Sequence, residues 1–193
     1  PEPGSVNLNE SGEHSKVQLQ LANGHWLDLD TIKENRLMGM DHVNVSSGNK
    51  TVTYQHADNL QQMEYNILKT ERGGEWNVTL EDGTKVYLNS SSTLKYPVSF
   101  AGESREVFLE GEAYFEVIAD PQKPFYVQVG EAKVQVLGTA FNVSAYQEDQ
   151  QVEVALLRGK VGFNLPNNEY VLVPGEIATW DKGDREATLR KGN

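Results

Sequence analysis

Apolar and polar residues alternate with a period of two along most of the chain. Val17, Leu19 and Leu21 are separated by Gln18 and Gln20, the spacing that sends successive side chains to opposite faces of a strand. The alternation returns at Val43/Val45, Val52/Tyr54, Met63/Tyr65/Ile67, Trp76/Val78/Leu80, Val86/Leu88 and Val107/Leu109. It continues through Phe125/Val127/Val129, Val134/Val136, Phe141/Val143, Val152/Val154, Val161/Phe163 and Tyr170/Leu172. Turn-forming residues stand between the runs: Asn23-Gly24, Ser47-Gly48-Asn49, Asp82-Gly83, Ala101-Gly102, Gly130-Glu131, Arg158-Gly159, Asn167-Asn168 and Pro174-Gly175. About a dozen short strands at spacings of roughly 8–12 residues predict an all-β protein, an antiparallel jelly-roll-like β-sandwich with little helix. Asp30 to Leu37 and Ala57 to Gln62 are the best candidates for a helical turn, although neither sustains a 3.6-residue apolar period.

The chain contains one internal similarity. Leu19-Gln-Leu-Ala-Asn-Gly-His-Trp-Leu-Asp-Leu29 can be laid over Val78-Thr-Leu-Glu-Asp-Gly-Thr-Lys-Val-Tyr-Leu88. Both read as hairpins in which Asn-Gly or Asp-Gly supplies the turn and the flanking apolar residues face one core. Convergence on a favoured hairpin and duplication both account for it.

Composition narrows the picture. With 193 residues the chain suits a single core. No cysteine is present, which excludes disulfides, thiolate metal sites and cysteine nucleophiles. Seventeen Lys and Arg against 28 Asp and Glu give a formal charge of −11, which would repel a phosphate backbone, so no nucleic-acid partner is expected. No run approaches the roughly 20 apolar residues of a membrane span, and no basic stretch followed by an apolar core marks a signal peptide. The opening Pro1-Glu2-Pro3-Gly4 reads like a linker, as in a piece excised from a longer protein.

The candidate chemistry is sparse. His14, His25, His42 and His56 fall in the first third, near Asp28, Asp30, Glu34 and Asp41, but none has the i,i+4 spacing of a helical metal site, and no metal is expected. Glu110, Glu112 and Glu116 would share one strand face, as the paired carboxylates of a glycosidase require. A solvated strand face, paired with Arg105, is the expected explanation of them. Asn89-Ser-Ser-Ser-Thr93 contains no nucleophile elbow, and the chain has neither a Walker-type loop nor a Gly-x-Gly-x-x-Gly turn. No catalytic residue, cofactor or enzymatic activity is therefore expected. Trp26, Trp76 and Trp180 leave open a carbohydrate-binding sandwich in which they act as stacking platforms, against a role in core packing.

Five stretches carry a resemblance. They are Gly73-Gly-Glu-Trp-Asn-Val-Thr-Leu-Glu-Asp-Gly-Thr-Lys-Val-Tyr-Leu-Asn89, Ser92-Thr-Leu-Lys-Tyr-Pro97 and Val107-Phe-Leu-Glu-Gly-Glu-Ala-Tyr-Phe-Glu-Val117, then Pro124-Phe-Tyr-Val127 and Val136-Leu-Gly-Thr-Ala-Phe-Asn-Val-Ser-Ala-Tyr146. Leu157-Arg-Gly-Lys-Val161 and Leu172-Val-Pro-Gly175 add weaker support. In this order the set resembles the FecR family of membrane-bound sigma-factor regulators.

The resemblance implies three regions: variable lead-in strands over 1–70, the family's core β domain over 71–182, and a C-terminal edge over 183–193 leading to a further domain not contained here. It implies the periplasmic part of a single-pass inner-membrane protein whose membrane helix and cytoplasmic segment lie outside this chain. The implied partners are the signalling domain of a TonB-dependent outer-membrane transporter, met through the C-terminal region, and an extracytoplasmic-function sigma factor, met through the cytoplasmic segment. The inducing ligands of such systems include iron chelates and glycans. The matched positions are Asp82, Gly83, Leu88, Asn89, Tyr96, Pro97, Gly111, Glu112, Ala113, Phe115, Pro124, Phe125, Gly138, Thr139, Phe141 and Asn142. Each is expected to serve the architecture: turns, bulges, packed aromatics and loop-anchoring amides.

Overall fold

A computed structural model describes residues 15–32, 36–38, 43–46, 49–54 and 64–192, and among these lie eighteen strands. The first six are β1 (Val17–Gln20), β2 (Trp26–Asp28), β3 (Arg36–Met38), β4 (Val43–Ser46), β5 (Thr51–Tyr54) and β6 (Tyr65–Thr70). A central set follows: β7 (Trp76–Thr79), β8 (Lys85–Leu88), β9 (Ser92–Pro97), β10 (Arg105–Glu116), β11 (Phe125–Val129), β12 (Ala132–Val136) and β13 (Ala140–Ala145). The last are β14 (Gln151–Arg158), β15 (Val161–Asn164), β16 (Glu169–Leu172), β17 (Glu176–Asp181) and β18 (Ala187–Lys191).

These strands make an all-β sandwich of two sheets that share β10. The first sheet runs β2-β1-β6-β9-β10-β11-β12-β15-β16. The second runs β3-β4-β5-β7-β8-β10-β13-β14-β17-β18. Residues 105–110 of β10 pair with β11 and β9, whereas residues 111–116 pair with β13 and β8. The strand turns from one sheet to the other at Gly111, where φ is +96°. A Cβ there would lie 2.3 Å from Ser92 Oγ and 2.7 Å from Ser92 Cα. Both the left-handed backbone and the close approach demand glycine. Inward residues from Val17 to Trp180 join in one apolar cluster between the sheets, so lead-in and central strands bury a common core.

The two similar segments form the same hairpin, one in each sheet. Leu19 faces Leu27 as Val78 faces Val86, and Gly24 and Gly83 both have φ +86°. In each turn an Asx side chain accepts from the main-chain N–H two residues on: Asn23 from His25 at 3.0 Å, Asp82 from Thr84 at 2.9 Å.

The structure departs from the expected pattern in several places. Among the described residues of Asp30–Leu37 and its flank, helix is one 3-10 turn, Leu29–Thr31, and Arg36–Met38 pairs with β4 instead. The other helical candidate, Ala57–Gln62, lies outside the described residues. The strands exceed a dozen because β2, β3, β9, β17 and β18 join the thirteen alternating runs; β18 is nearly all exposed and β9 mixes polar residues with Leu94 and Tyr96, so neither shows a clean apolar period. Two pairings are parallel, β5 with β7 and β10 with β11. Pro97, a residue whose missing N–H suits an edge strand or a bulge, ends an interior strand. Its β6 partner is Tyr65, and pairing with β10 has already stopped at Lys95, so the missing N–H breaks no ladder there.

The phase of β6 is also inverted. Tyr65 and Ile67 set its apolar period, yet Asn66, Leu68 and Thr70 are the buried set. Asn66 Nδ2 donates to the Tyr54 hydroxyl, which lies 2.7 Å from that of Tyr96. Thr70 Oγ1 donates to the carbonyls of Asn89 and Ser92 at 2.6 and 3.2 Å. These hydrogen bonds let polar side chains occupy the core face, while Tyr65 packs outside against Phe108 with ring centroids 6.3 Å apart.

Candidate functional site

The matched positions divide into a buried knot at the start of β10 and a polar groove beyond its bend. The knot is built on Arg105, whose side chain is only 2% exposed. Its Nη1 donates to Asp82 Oδ2 at 2.8 Å and to the Ile118 carbonyl at 2.9 Å, and its Nε donates to the Lys123 carbonyl at 2.8 Å. The guanidinium also lies 5.3 Å from the centre of the Phe125 ring. Asp82 thus binds Arg105 while organising the Gly83 turn, and Arg105 pairs with this aspartate rather than with the glutamates of β10. The neighbouring chain is fixed as well, since Arg105 N donates to the Pro124 carbonyl at 2.9 Å.

Around the knot the matched apolar residues fill the core. Phe115 stacks on Phe141 with centroids 5.0 Å apart and meets Phe125 edge-on at 6.4 Å. Leu88 and Ala113 are buried beside them. The buried Tyr96 hydroxyl is pushed well above the usual tyrosine range, chiefly by loss of water and then by Tyr54. Gly138 admits close packing, since a Cβ there would lie 2.6 Å from Ala119 Cα. Thr139 Oγ1 is tied to the Lys160 carbonyl at 3.1 Å.

The groove lies on the outer face of the second sheet, between β7, β8, β10 and β13. Strand register aligns Thr51, Asn77, Tyr87, Tyr114 and Asn142 across five strands, with Glu112 and Ser144 in the next row. Glu112 lies between two amides: Asn142 Nδ2 donates to Oε1 at 2.9 Å and Asn89 Nδ2 to Oε2 at 3.3 Å. Asn89 is itself oriented by the Ser90 N–H, which donates to its Oδ1 at 2.8 Å. The Tyr87 and Tyr114 rings lie beside this carboxylate, centroids 5.7 Å apart and inclined at 41°. Lys50 and Glu75 close one side as an ion pair at 3.7 Å, around a volume of about 390 Å³. Partial burial, followed by the Glu116 carboxylate, raises the Tyr114 hydroxyl above its usual range, while Arg158 opposes the shift. Tyr114 therefore remains a protonated donor at neutral pH.

Folding thus joins Asn89, Glu112 and Asn142, three positions far apart in sequence. The same groove contains Asn77 and Tyr87, which the sequence reading did not single out, and Tyr114, which it read as a packing aromatic; their signal was their place in the polar phase of strands within the matched stretches. The three glutamates do not form one site. Glu110 lines a separate cleft at the end of the sandwich, and Glu116 neighbours Tyr114. Trp76 and Trp180 are buried in the core, so neither provides a stacking platform, whereas Trp26 is 45% exposed. Of the early polar residues, His25 is exposed and Asp28 and Asp30 accept from Gln18, Ser15 and Lys16. His14, Glu34, Asp41, His42 and His56 lie outside the described residues.

Comparison with known proteins gives one family match: the model described as FecR protein aligns with residues 66–162, just over half the chain. Two crystal structures from Parabacteroides distasonis ATCC 8503, at 2.50 and 1.65 Å, are similar to it; both are assigned as an anti-sigma factor. The first shows 37% identity with a TM-score of 0.65 and the second 38% with 0.64, over 67% and 66% of this chain. The chain spans about three fifths of those structures, 61% and 60%. Comparison with curated proteins returned no match.

Proposed function

The chain belongs to the FecR protein family, and from that membership we propose that it is the periplasmic relay domain of an anti-sigma factor without catalytic activity. In this reading the parent protein is anchored in the inner membrane by a single helix outside this chain. The signalling domain of a TonB-dependent outer-membrane transporter engages the periplasmic region, through a part C-terminal to this domain. The cytoplasmic segment then controls an extracytoplasmic-function sigma factor. Residues 1–70 act as a lead-in to the family core of 71–182, and 183–193 lead onward.

The observation that carries this reading is the family match over 66–162, supported by the anti-sigma assignment of the two similar structures. That span contains the Arg105 knot, the Gly111 bend and, apart from Asn49 and Lys50, the residues lining the groove. A relay must pass a displacement between its ends, and a strand shared by two sheets, pinned by a buried cation, suits that task because it couples both sheets mechanically. Among the described residues β16 and β18 each pair with one neighbour only, leaving edges that accept a partner strand through main-chain hydrogen bonds.

The test is a sigma-dependent reporter in cells carrying the full parent protein or a version lacking residues 15–192. A relay predicts that transcription no longer responds to inducer when the domain is removed. An inducer response of normal size without it would refute the proposal.

A further inference from the structure

We propose that the groove around Glu112 is a binding site for a neutral oligosaccharide, independent of the relay reading and with the Trp76 at its wall too buried to serve as a stacking platform. β7, β8, β10 and β13 are interior strands, so their main-chain groups are committed to the ladders. A ligand on this face meets side chains alone, which excludes recognition by strand addition. Those side chains are amides, phenols, the Glu112 carboxylate and the Lys50–Glu75 ion pair, together with the faces of two aromatic rings.

The charges decide the ligand class. Glu112 and the chain's net charge of −11 disfavour anions such as phosphates or nucleotides. Lys50, the cation among the residues lining the groove, is paired with Glu75, and Arg158 acts on Tyr114 from outside that lining. A metal ion needs several hard ligands, and among the described residues no three His, Cys, Asp or Glu side chains are grouped to hold one. A polyhydroxylated ring fits what remains. An ionised carboxylate offers about four lone-pair directions, of which Asn89 and Asn142 use two. The free directions accept sugar hydroxyls in charge-assisted hydrogen bonds. Holding Glu112 from both sides removes its rotamer entropy before binding, which is the preorganisation such a site needs. Tyr87 is 37% exposed, and with Tyr114 it presents an aromatic surface to the apolar C–H face of a sugar ring. Among the described residues no side-chain hydrogen bond engages Asn77 or Tyr87, so both retain polar atoms for the ligand.

The experiment titrates the isotope-labelled 193-residue chain with malto-, cello-, xylo-, manno- and laminarihexaose at millimolar concentrations, following amide shifts by NMR. At least one hexaose is expected to give saturable shifts centred on Asn77, Tyr87, Asn89, Glu112, Tyr114 and Asn142. Glu112→Gln and Tyr87→Ala should each weaken that binding roughly tenfold or more, with thermal unfolding confirming that both variants are folded. Trp26→Ala, on the first sheet, should bind as the unaltered chain does. The proposal is overturned if no hexaose gives a saturable shift, if the shifts centre outside the groove, or if both groove variants bind undiminished.

Discussion

Replacing Asp82 by Asn removes the counter-charge from a buried arginine while keeping a residue able to form the turn. The first hairpin shows that asparagine does the turn's work, since Asn23 accepts from His25 N–H as Asp82 does from Thr84 N–H. Asp82 and Arg105 are 2.8 Å apart, with side chains 15% and 2% exposed. At that separation an effective dielectric near 20 gives an attraction of about 6 kcal/mol, against a desolvation cost of several kcal/mol per ion. The intact pair is thus worth little net, but losing one partner restores none of the other's hydration. Asp82→Asn is therefore expected to cost about 3 kcal/mol, near the lower end for a broken buried pair. The equivalent change at the exposed first hairpin, Asn23→Asp, should stay within about 0.5 kcal/mol. Arg105→Met also costs about 3 kcal/mol, because the carbonyls of Ile118 and Lys123 lose their donor. The double variant should lose only about 3–4 kcal/mol, since with both side chains neutral no uncompensated charge is left buried. Urea unfolding followed by fluorescence of the buried Trp76 and Trp180 measures all four proteins, with unchanged slopes showing that only stability moved. Losses that add to within about 0.5 kcal/mol would mean the two residues act independently and would refute the knot.

At the bend, Gly111→Ala should cost about 3 kcal/mol or more, against about 1–2 for Gly24→Ala, which has a similar φ but nothing within 4 Å of its Cβ position. Ser92→Gly should not rescue Gly111→Ala, because Ser92 Cα itself is only 2.7 Å from the added methyl; full rescue in calorimetry would contradict that geometry. Alkaline stability should depend on Tyr96, whose pKa is raised in the folded state. Above the ordinary tyrosine value near 10 the unfolded chain loses a proton that the folded chain keeps, so stability falls with rising pH by about 1.4 kcal/mol per unit from this group. Tyr96→Phe should remove that share of the slope between about pH 10 and the onset of unfolding, and an unchanged slope would show that Tyr96 ionises freely in the fold. Phe141→Ala, which empties the stack on Phe115, should cost about 3–5 kcal/mol by the same urea assay.

Much of the architecture was legible along the chain because a strand with one wet face must alternate, and a tight turn must use residues tolerant of positive φ. Those constraints are local. They located most strands, made hairpins of Asn23-Gly24 and Asp82-Gly83, and marked Gly111 as an interruption in an apolar strand. The tertiary structure decided what depends on partners from elsewhere. The apolar residues Tyr65 and Ile67 do not supply the core face of β6, because Tyr54 accepts from the Asn66 amide N–H and the Asn89 and Ser92 carbonyls accept from Thr70, although Asn66 Oδ1 stays buried without a partner among the described residues. Arg105 is buried because Asp82 and two distant carbonyls receive its protons. Glu112 became the centre of a groove only when strand order set Asn89 on one side of β10 and Asn142 on the other. Periodicity reports which residues share a face of one strand; which strand lies alongside, and so which polar groups are matched, follows from the packing of the whole chain.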